Sequence, residues 1–312
     1  MTLSRRYLTG VLAAGISALL WATFFPLVLV LPSSENVAIM FVAPLFGAAA
    51  SLGLRAAVPA FRSSRPFRRV LVDHRVLAVA VLWLVVQALI VLGTRFTGAI
   101  DTSILILSSD VLGTPLIFYG LAREGGGRFR RLGFWTGVVL IGTGALLTIL
   151  GGGTPEPLSL LTVLLGVPLF FGNSFLVISI DRTGRTVALV DLMAAAMIVM
   201  CGIGLLGAAL LLRSPDLLGS WDPRYLVVLV VMGILNFSVA PLAFFWAAQR
   251  ITLIVPSVLQ SGIPVFTLIF ILVLGLQPVT VLAVVGVPIA FLGAAIAALT
   301  PGTDPPLLAP VP

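Results

Sequence analysis

Asp110 is the residue of this 312-residue chain that most needs a chemical explanation. It stands nine residues into an apolar run spanning 101–122. If that run crosses a bilayer as a helix rising about 1.5 Å per residue, the carboxyl lies roughly 13–14 Å deep in a hydrocarbon core about 30 Å thick. A carboxylate there costs about 2.5–3.5 kcal/mol even on the lenient insertion scale, so something must offset it. Such a group could carry a proton or pair with a cationic group. The structural alternative is a carboxyl hydrogen-bonded to its own helix neighbours. Ser103, Asp110 and Thr114, spaced by seven and four, predict one helix face, with Ser109 beside it. Gly113 and Pro115 follow, and proline removes one backbone donor and crowds the preceding turn. Carbonyls freed next to a cavity can bind a ligand, and a packing kink is the competing reading.

Other polar residues stand at similar depth. Gln87 and Asn236 lie in the middle of apolar runs, Gln87 one turn after Trp83. An amide in lipid must find a partner, so both are expected to face inward, either toward a ligand or toward another helix. Ser257, Gln260 and Ser261 precede a second Gly-x-Pro, Gly262-Ile263-Pro264. Asn173, flanked by Phe170 and Phe171, is the later counterpart of an early segment holding Trp21 and Thr23. Trp21 and Trp246 could shape an aromatic pocket or simply pack. Asp191, near Arg182 and Arg185, is expected to form an interfacial ion pair with them. Arg95 and Asp101 are expected to pair with each other, Asp101 capping the helix it begins.

The elements that position these residues follow from composition. The sequence is 60% hydrophobic and 9% charged, against about 25% charged in a soluble domain. Its mean hydropathy is +1.20. The solvent for such a surface is lipid, where the backbone must satisfy itself in helices or closed barrels. Runs of about 20 apolar residues without alternation favour helices over strands of about 9–11. Ten runs are predicted as spans: 8–31, 36–54, 76–94, 101–122, 132–151, 158–180, 187–212, 225–248, 251–274 and 279–300. Turn formers separate them, as in Leu31-Pro32-Ser33-Ser34, Gly125-Gly126-Gly127, Gly151-Gly152-Gly153-Thr154-Pro155 and Gln277-Pro278. Residues 301–312, with five prolines, predict a short disordered cytoplasmic tail.

All 18 basic residues are Arg. With the N-terminus inside, fifteen fall in the N-terminal segment and the connectors after the second, fourth, sixth and eighth runs. Only Arg95, Arg213 and Arg224 fall on the other side. That bias is the positive-inside pattern, and it places both termini in the cytoplasm of a multi-pass protein of the cell membrane. It also explains the net charge of +7 without nucleic acid. Ser4-Arg5-Arg6-Tyr7-Leu8 resembles a twin-arginine export signal, but the run behind it is long enough to span and stay. One Cys (Cys201) and one His (His74) exclude a disulfide framework and a Cys/His metal cluster. Without a single Lys there is no Walker-type phosphate loop, and no cofactor is called for.

A shift of 149 residues superposes several features without gaps. Gly113-Thr114-Pro115 falls on Gly262-Ile263-Pro264, Ser108 on Ser257, Phe96 on Phe245 and Ala99 on Ala248. Gly137 and Gly144 fall on Gly286 and Gly293, and Gln87 falls on Asn236. This predicts two five-helix repeats, 1–152 and 153–300. An odd number of spans inverts the second in the membrane, the arrangement of secondary transporters that bind substrate near the midplane.

The chain resembles the drug/metabolite transporter superfamily, in particular its EamA-type permeases, over about residues 8–300. The similarity lies in Leu20-Trp21-Ala22-Thr23-Phe24-Phe25, in Pro115 leading to Arg123-Glu124, and in the Gly-rich stretch from Gly137 to Gly144. It continues through Pro264, Leu274-Gly275 and Gly286 to Gly293. Gly275-Leu276-Gln277 stands where the family usually has Gly-Glu, and Asp110 stands close to where it often has Pro. The resemblance implies an all-α integral membrane protein of ten transmembrane helices as two inverted five-helix repeats. It also implies a central cavity and a small-molecule substrate such as an amino acid, in a monomer or homodimer embedded in the lipid bilayer. A membrane-embedded lipid- or prenyl-modifying enzyme and a non-transporting subunit are the rival classes. Both fit less well, because the acids are scattered and no long loop exists.

Overall fold

The computed structural model describes residues 5–33, 36–58, 65–114, 116–117, 131–151, 160–212, 223–251 and 253–300. Pro115, the Gly125-Gly126-Gly127 connector, the boundary at 152–153 and the expected tail at 301–312 lie outside the described residues. Among the described residues the chain is helical throughout, with no strand. In order, the helices are α1 (Arg5–Val30), α2 (Asn36–Ala57), α3 (Phe67–Leu71), α4 (His74–Phe96) and α5 (Ala99–Ser108). Then come α6 (Leu132–Gly151), α7 (Leu160–Gly184), α8 (Leu189–Leu212) and α9 (Pro223–Met232). The last are α10 (Ala240–Ile251), α11 (Ile254–Leu259), α12 (Ile263–Leu274) and α13 (Val281–Leu299).

Among the described residues six helices are long and apolar enough to cross a membrane, counting Arg224–Ile251 as one, and Leu132–Thr148, Gln260–Leu274 and Val281–Ala297 are shorter apolar helices. The burial pattern fits lipid as solvent. Leu132, Val139, Val273 and Val281 are exposed, while Gln87, Ser103, Asp191 and Asn236 are fully buried. Apolar outside and polar inside is the architecture of a multi-pass α-helical membrane protein.

Three helices are broken at one kind of place. α5 widens into π-helix over Ser109–Gly113, α9 joins α10 through π-helix over Gly233–Val239, and α11 joins α12 through a 3₁₀ turn over Gln260–Gly262. In the sequence a proline follows each break at the second position: Pro115, Pro241 and Pro264. Proline cannot donate to the carbonyl four residues back and pushes against it, so the ladder upstream must widen or tighten. Each break contains one of the polar residues singled out by sequence: Asp110, Asn236 or Gln260. Pro26 acts similarly inside α1. It leaves the carbonyl of Ala22 without its helical donor, and buried Thr267 of α12 donates toward it over a long 3.5 Å.

α6 and α13 pack with their backbones nearly touching. A Cβ on Gly137 would sit 2.5 Å from the Gly293 carbonyl oxygen, and one on Gly293 would sit 2.6 Å from that of Gly137. Gly144 and Gly286 oppose each other in the same way, at 2.5 and 2.6 Å. The glycines permit this approach because any side chain would overlap the facing backbone. Phe134, Ile141, Ala290, Ala294 and Ala297 fill the seam beside them. The main core is formed largely by the other helices, with Phe24, Phe25, Leu169, Met193, Met197 and Phe237 at its centre.

Asp191 and Arg95 take partners that local spacing does not reveal. Asp191 is paired with Arg55 of α2 at 2.6 Å, while Arg185 bonds Asp181 one turn back at 2.8 Å. Arg95 turns to the connector between α1 and α2, donating to the carbonyls of Leu31 (2.6 Å) and Pro32 (3.2 Å) and to Asn36 Oδ1 (3.1 Å). Gly98 takes the N-cap position of α5, and Asp101 sits in the first helical turn, where a negative charge faces the positive end of the helix dipole. The reason in each case is reach. A long Arg can satisfy itself on a helix or connector distant in sequence, which local spacing does not reveal.

Candidate functional site

The site begins with a polar junction between the break in α5 and the middle of α7. Gly113 lets the two helices meet, since an added Cβ would overlap Ser174 Oγ and press on the Phe170 ring. At that contact Asn173 Nδ2 donates to Ser109 Oγ at 2.7 Å and to Asp110 Oδ1 at 2.9 Å. Ser109 passes its own proton to the carbonyl of Ile106 at 2.7 Å. Ser174 Oγ lies 2.8 Å from the Phe170 carbonyl and 3.1 Å from that of Ser109, so its single proton is shared between them. The two N–H groups of Asn173 are thus spent on Ser109 and Asp110, while the carboxyl keeps further acceptor capacity.

Asp110 faces a partly open cavity of about 70 Å³. Five helical regions besides that of Asp110 contribute. α1 supplies Trp21 and Phe25; α4 supplies Trp83, Val86, Gln87 and Ile90. α7 adds Asn173, Leu176, Val177 and Ile180, and the start of α10 adds Pro241, Phe244 and Phe245. Gln260 of the 3₁₀ turn and Ile263 complete the wall. Asp110 is the one charged residue among those lining it.

Two amides share this wall. Gln260 Nε2 donates to Ser17 Oγ at 3.0 Å, and Ser17 donates on to the Ala240 carbonyl at 2.7 Å, tying α1 to both breaks of the later half. Gln260 Oε1 has no partner, and neither amide atom of Gln87 has one, although both side chains are buried. An unsatisfied buried polar atom costs about 1–3 kcal/mol, so its retention in a cavity wall points to a ligand that satisfies it.

Five of the twelve residues singled out by sequence line the cavity: Asp110, Gln87, Trp21, Asn173 and Gln260. The other seven do not. Ser109 orients Asp110 through Asn173. Ser103 and Ser257 bond carbonyls of their own chain segment, Ile100 and Leu253, and Thr114 Oγ1 is buried without a partner. Of Ser103, Asp110 and Thr114 only Asp110 lines the cavity, and the π-helical turn changes the 3.6-residue period between Asp110 and Thr114. Asn236 Nδ2 donates to the Leu20 carbonyl (2.6 Å) and to Thr23 Oγ1 (3.2 Å), making these two residues a strut between α1 and the break before α10. Trp246 lies outside the lining, with the Arg250 guanidinium 3.7 Å above its ring.

Sequence reading passed over Phe25, Phe244, Ile263 and Ser17. A signal existed for two of them. Ser17, Trp21 and Phe25 recur every four residues, a stripe on one helix face. The same spacing links Trp83 to Gln87 and Asn173 to Val177.

No protein-family model matches the chain, and no curated protein matches it by sequence. Its fold has a counterpart among solved structures: one crystal structure aligns over 93% of this chain and 96% of its own, with a TM-score of 0.64 and 16% identity. At that identity the likeness speaks for the fold alone. Fold and site together define a helical membrane protein with a partly open, mostly apolar cavity around one carboxyl.

Proposed function

We propose that this chain is a secondary transporter of a small organic metabolite, of the EamA-type drug/metabolite transporter kind, working by alternating access to a midplane cavity. The observation that carries this reading is the cavity itself. It lies inside an apolar bundle, is walled from both halves of the sequence, and holds one carboxyl oriented by a dedicated amide. Asp110 both contacts the substrate and carries the coupling proton in this reading. An amino acid is the cargo the family resemblance favours.

The ten-span, inverted-repeat arrangement belongs to the same proposal. Support comes from the α6–α13 seam. Under the shift of 149, Gly137 corresponds to Gly286 and Gly144 to Gly293. Gly137 faces Gly293 and Gly144 faces Gly286, the reciprocal pattern of a two-fold-related contact. The breaks at Ser109–Gly113 and Gln260–Gly262 also fall in nearly the same register under that shift. The Arg distribution supports cytoplasmic termini in the cell membrane.

The test is purified full-length protein in proteoliposomes, scored for uptake of labelled metabolites with and without a proton gradient. Solute flux absent from empty liposomes and lost in Asp110→Asn is the expected result. Flux at the wild-type rate in that variant refutes the role given to Asp110, and no flux of any metabolite class refutes transport.

A further inference from the structure

We infer that the cavity is built for a monocationic amine carrying a flat apolar body, with the ammonium group seated against Asp110. This rests on the transport reading above and replaces the amino acid as its cargo. The argument is a balance of hydrogen-bonding capacity. The Asn173 amide nitrogen has two N–H groups and two partners, so it offers a ligand nothing. Gln260 has spent one of its two N–H groups on Ser17. What remains toward the cavity is acceptor-rich: the Asp110 carboxyl, Gln260 Oε1 and Gln87 Oε1, with Gln87 Nε2 as the one fully unspent amide donor. The two amide oxygens are buried and unpartnered, so a ligand must bring donors to them.

Charge narrows the choice further. Among the described residues no Arg or His lines the cavity, and the sequence contains no Lys. An anionic group entering would meet Asp110 with no cation to offset it, at low effective dielectric. An ammonium group has three donors and the opposite charge. The rest of the wall is aromatic or aliphatic: Trp21, Phe25, Trp83, Phe244 and Phe245 suit a flat body, and their ring faces favour a nearby cation. An amino acid adds a carboxylate, for which the wall offers no charged partner.

The experiment uses four compounds of one shape: phenethylamine, phenylalanine, phenylacetate and phenylethanol. Binding to the detergent-purified full chain is measured by calorimetry, and flux in proteoliposomes. Phenethylamine is expected to bind about tenfold or more tightly than the other three. Asp110→Asn is expected to remove that advantage while leaving phenylethanol binding unchanged, with Asp110→Glu restoring part of it. If Asp110→Asn does not fold, the ranking of the four compounds on wild-type protein still decides. Phenylalanine or phenylacetate binding as tightly as the amine overturns the inference, and so does absence of amine binding. Flux of phenylalanine without flux of phenethylamine overturns the cargo class and leaves transport standing. Selective amine binding with no flux of any compound supports the site chemistry and counts against transport.

Discussion

Asn173 Nδ2 lies 2.9 Å from Asp110 Oδ1 and 2.7 Å from Ser109 Oγ, so one amide from α7 fixes both side chains at the break in α5. The contact joins residues 63 positions apart, and Gly113 allows it by leaving room for Ser174 and Phe170. The carboxyl is therefore held from one side and presented to the cavity on the other.

Removing the holder is expected to impair the site more than the fold. Asn173→Ala deletes a hydrogen bond to a carboxyl group, worth about 1.5–3 kcal/mol if that group is charged. Affinity for a solute that binds in the cavity is expected to fall about tenfold or more, while Asn173→Gln recovers part of the loss. Calorimetric binding beside a thermal unfolding curve separates the two effects. Equal loss of affinity in both variants, or loss that merely follows unfolding, argues that Asn173 is structural.

The seam between α6 and α13 makes a prediction about stability with an internal control. Gly137 and Gly142 lie on the same helix, yet a Cβ on Gly137 meets the backbone of Gly293 and Ala297, whereas one on Gly142 meets nothing within 4 Å. Gly137→Val is expected to destabilise the protein by about 1–3 kcal/mol or more, as overpacking does. Gly142→Val is expected to leave the unfolding midpoint in the same detergent nearly unchanged. Similar midpoints for the two variants refute the close contact.

Much of the helical framework was legible because a lipid-facing helix must be long and apolar. α1, α2, α4, α7 and α8 begin and end within a few residues of the apolar runs that predict them. The burial of Asp110 and of Gln87 was legible for the same reason, since lipid penalises both. The short α3 was not, because five residues in an Arg-rich connector carry no period. Nor was the separation of Ser103 and Thr114 from the cavity. The glycine and proline after Asp110 flagged a weakened ladder, but whether it kinks, tightens or widens depends on packing against α7. The pairing of Asp191 with Arg55, 136 residues earlier, was illegible too.

That pair supports a prediction of asymmetry. The Asp191 side chain is 0% exposed and the Arg55 side chain 28% exposed. An Arg that loses its carboxylate can turn to water, whereas a carboxylate that loses its Arg remains buried. Arg55→Ala is therefore expected to lower the unfolding midpoint more than Asp191→Asn, and Arg55→Lys to fall between them. The reverse order in a thermal melt refutes this account of the pair.

Gln87 supplies the sharpest distinction between a ligand contact and a packing residue. Its amide nitrogen and oxygen are both buried and both without a partner, in the wall of the cavity around Asp110. Leucine has a similar shape and nothing to satisfy. If the amide is retained for a ligand, Gln87→Leu is expected to stabilise the free protein by about 1–3 kcal/mol, the cost of leaving such a group unsatisfied. The same substitution is expected to weaken solute binding by about tenfold. A residue kept for structure moves the two readouts together, both downward. Opposite movements, a higher unfolding midpoint with a weaker binding constant, arise only where the fold tolerates an unpaired amide because function uses it.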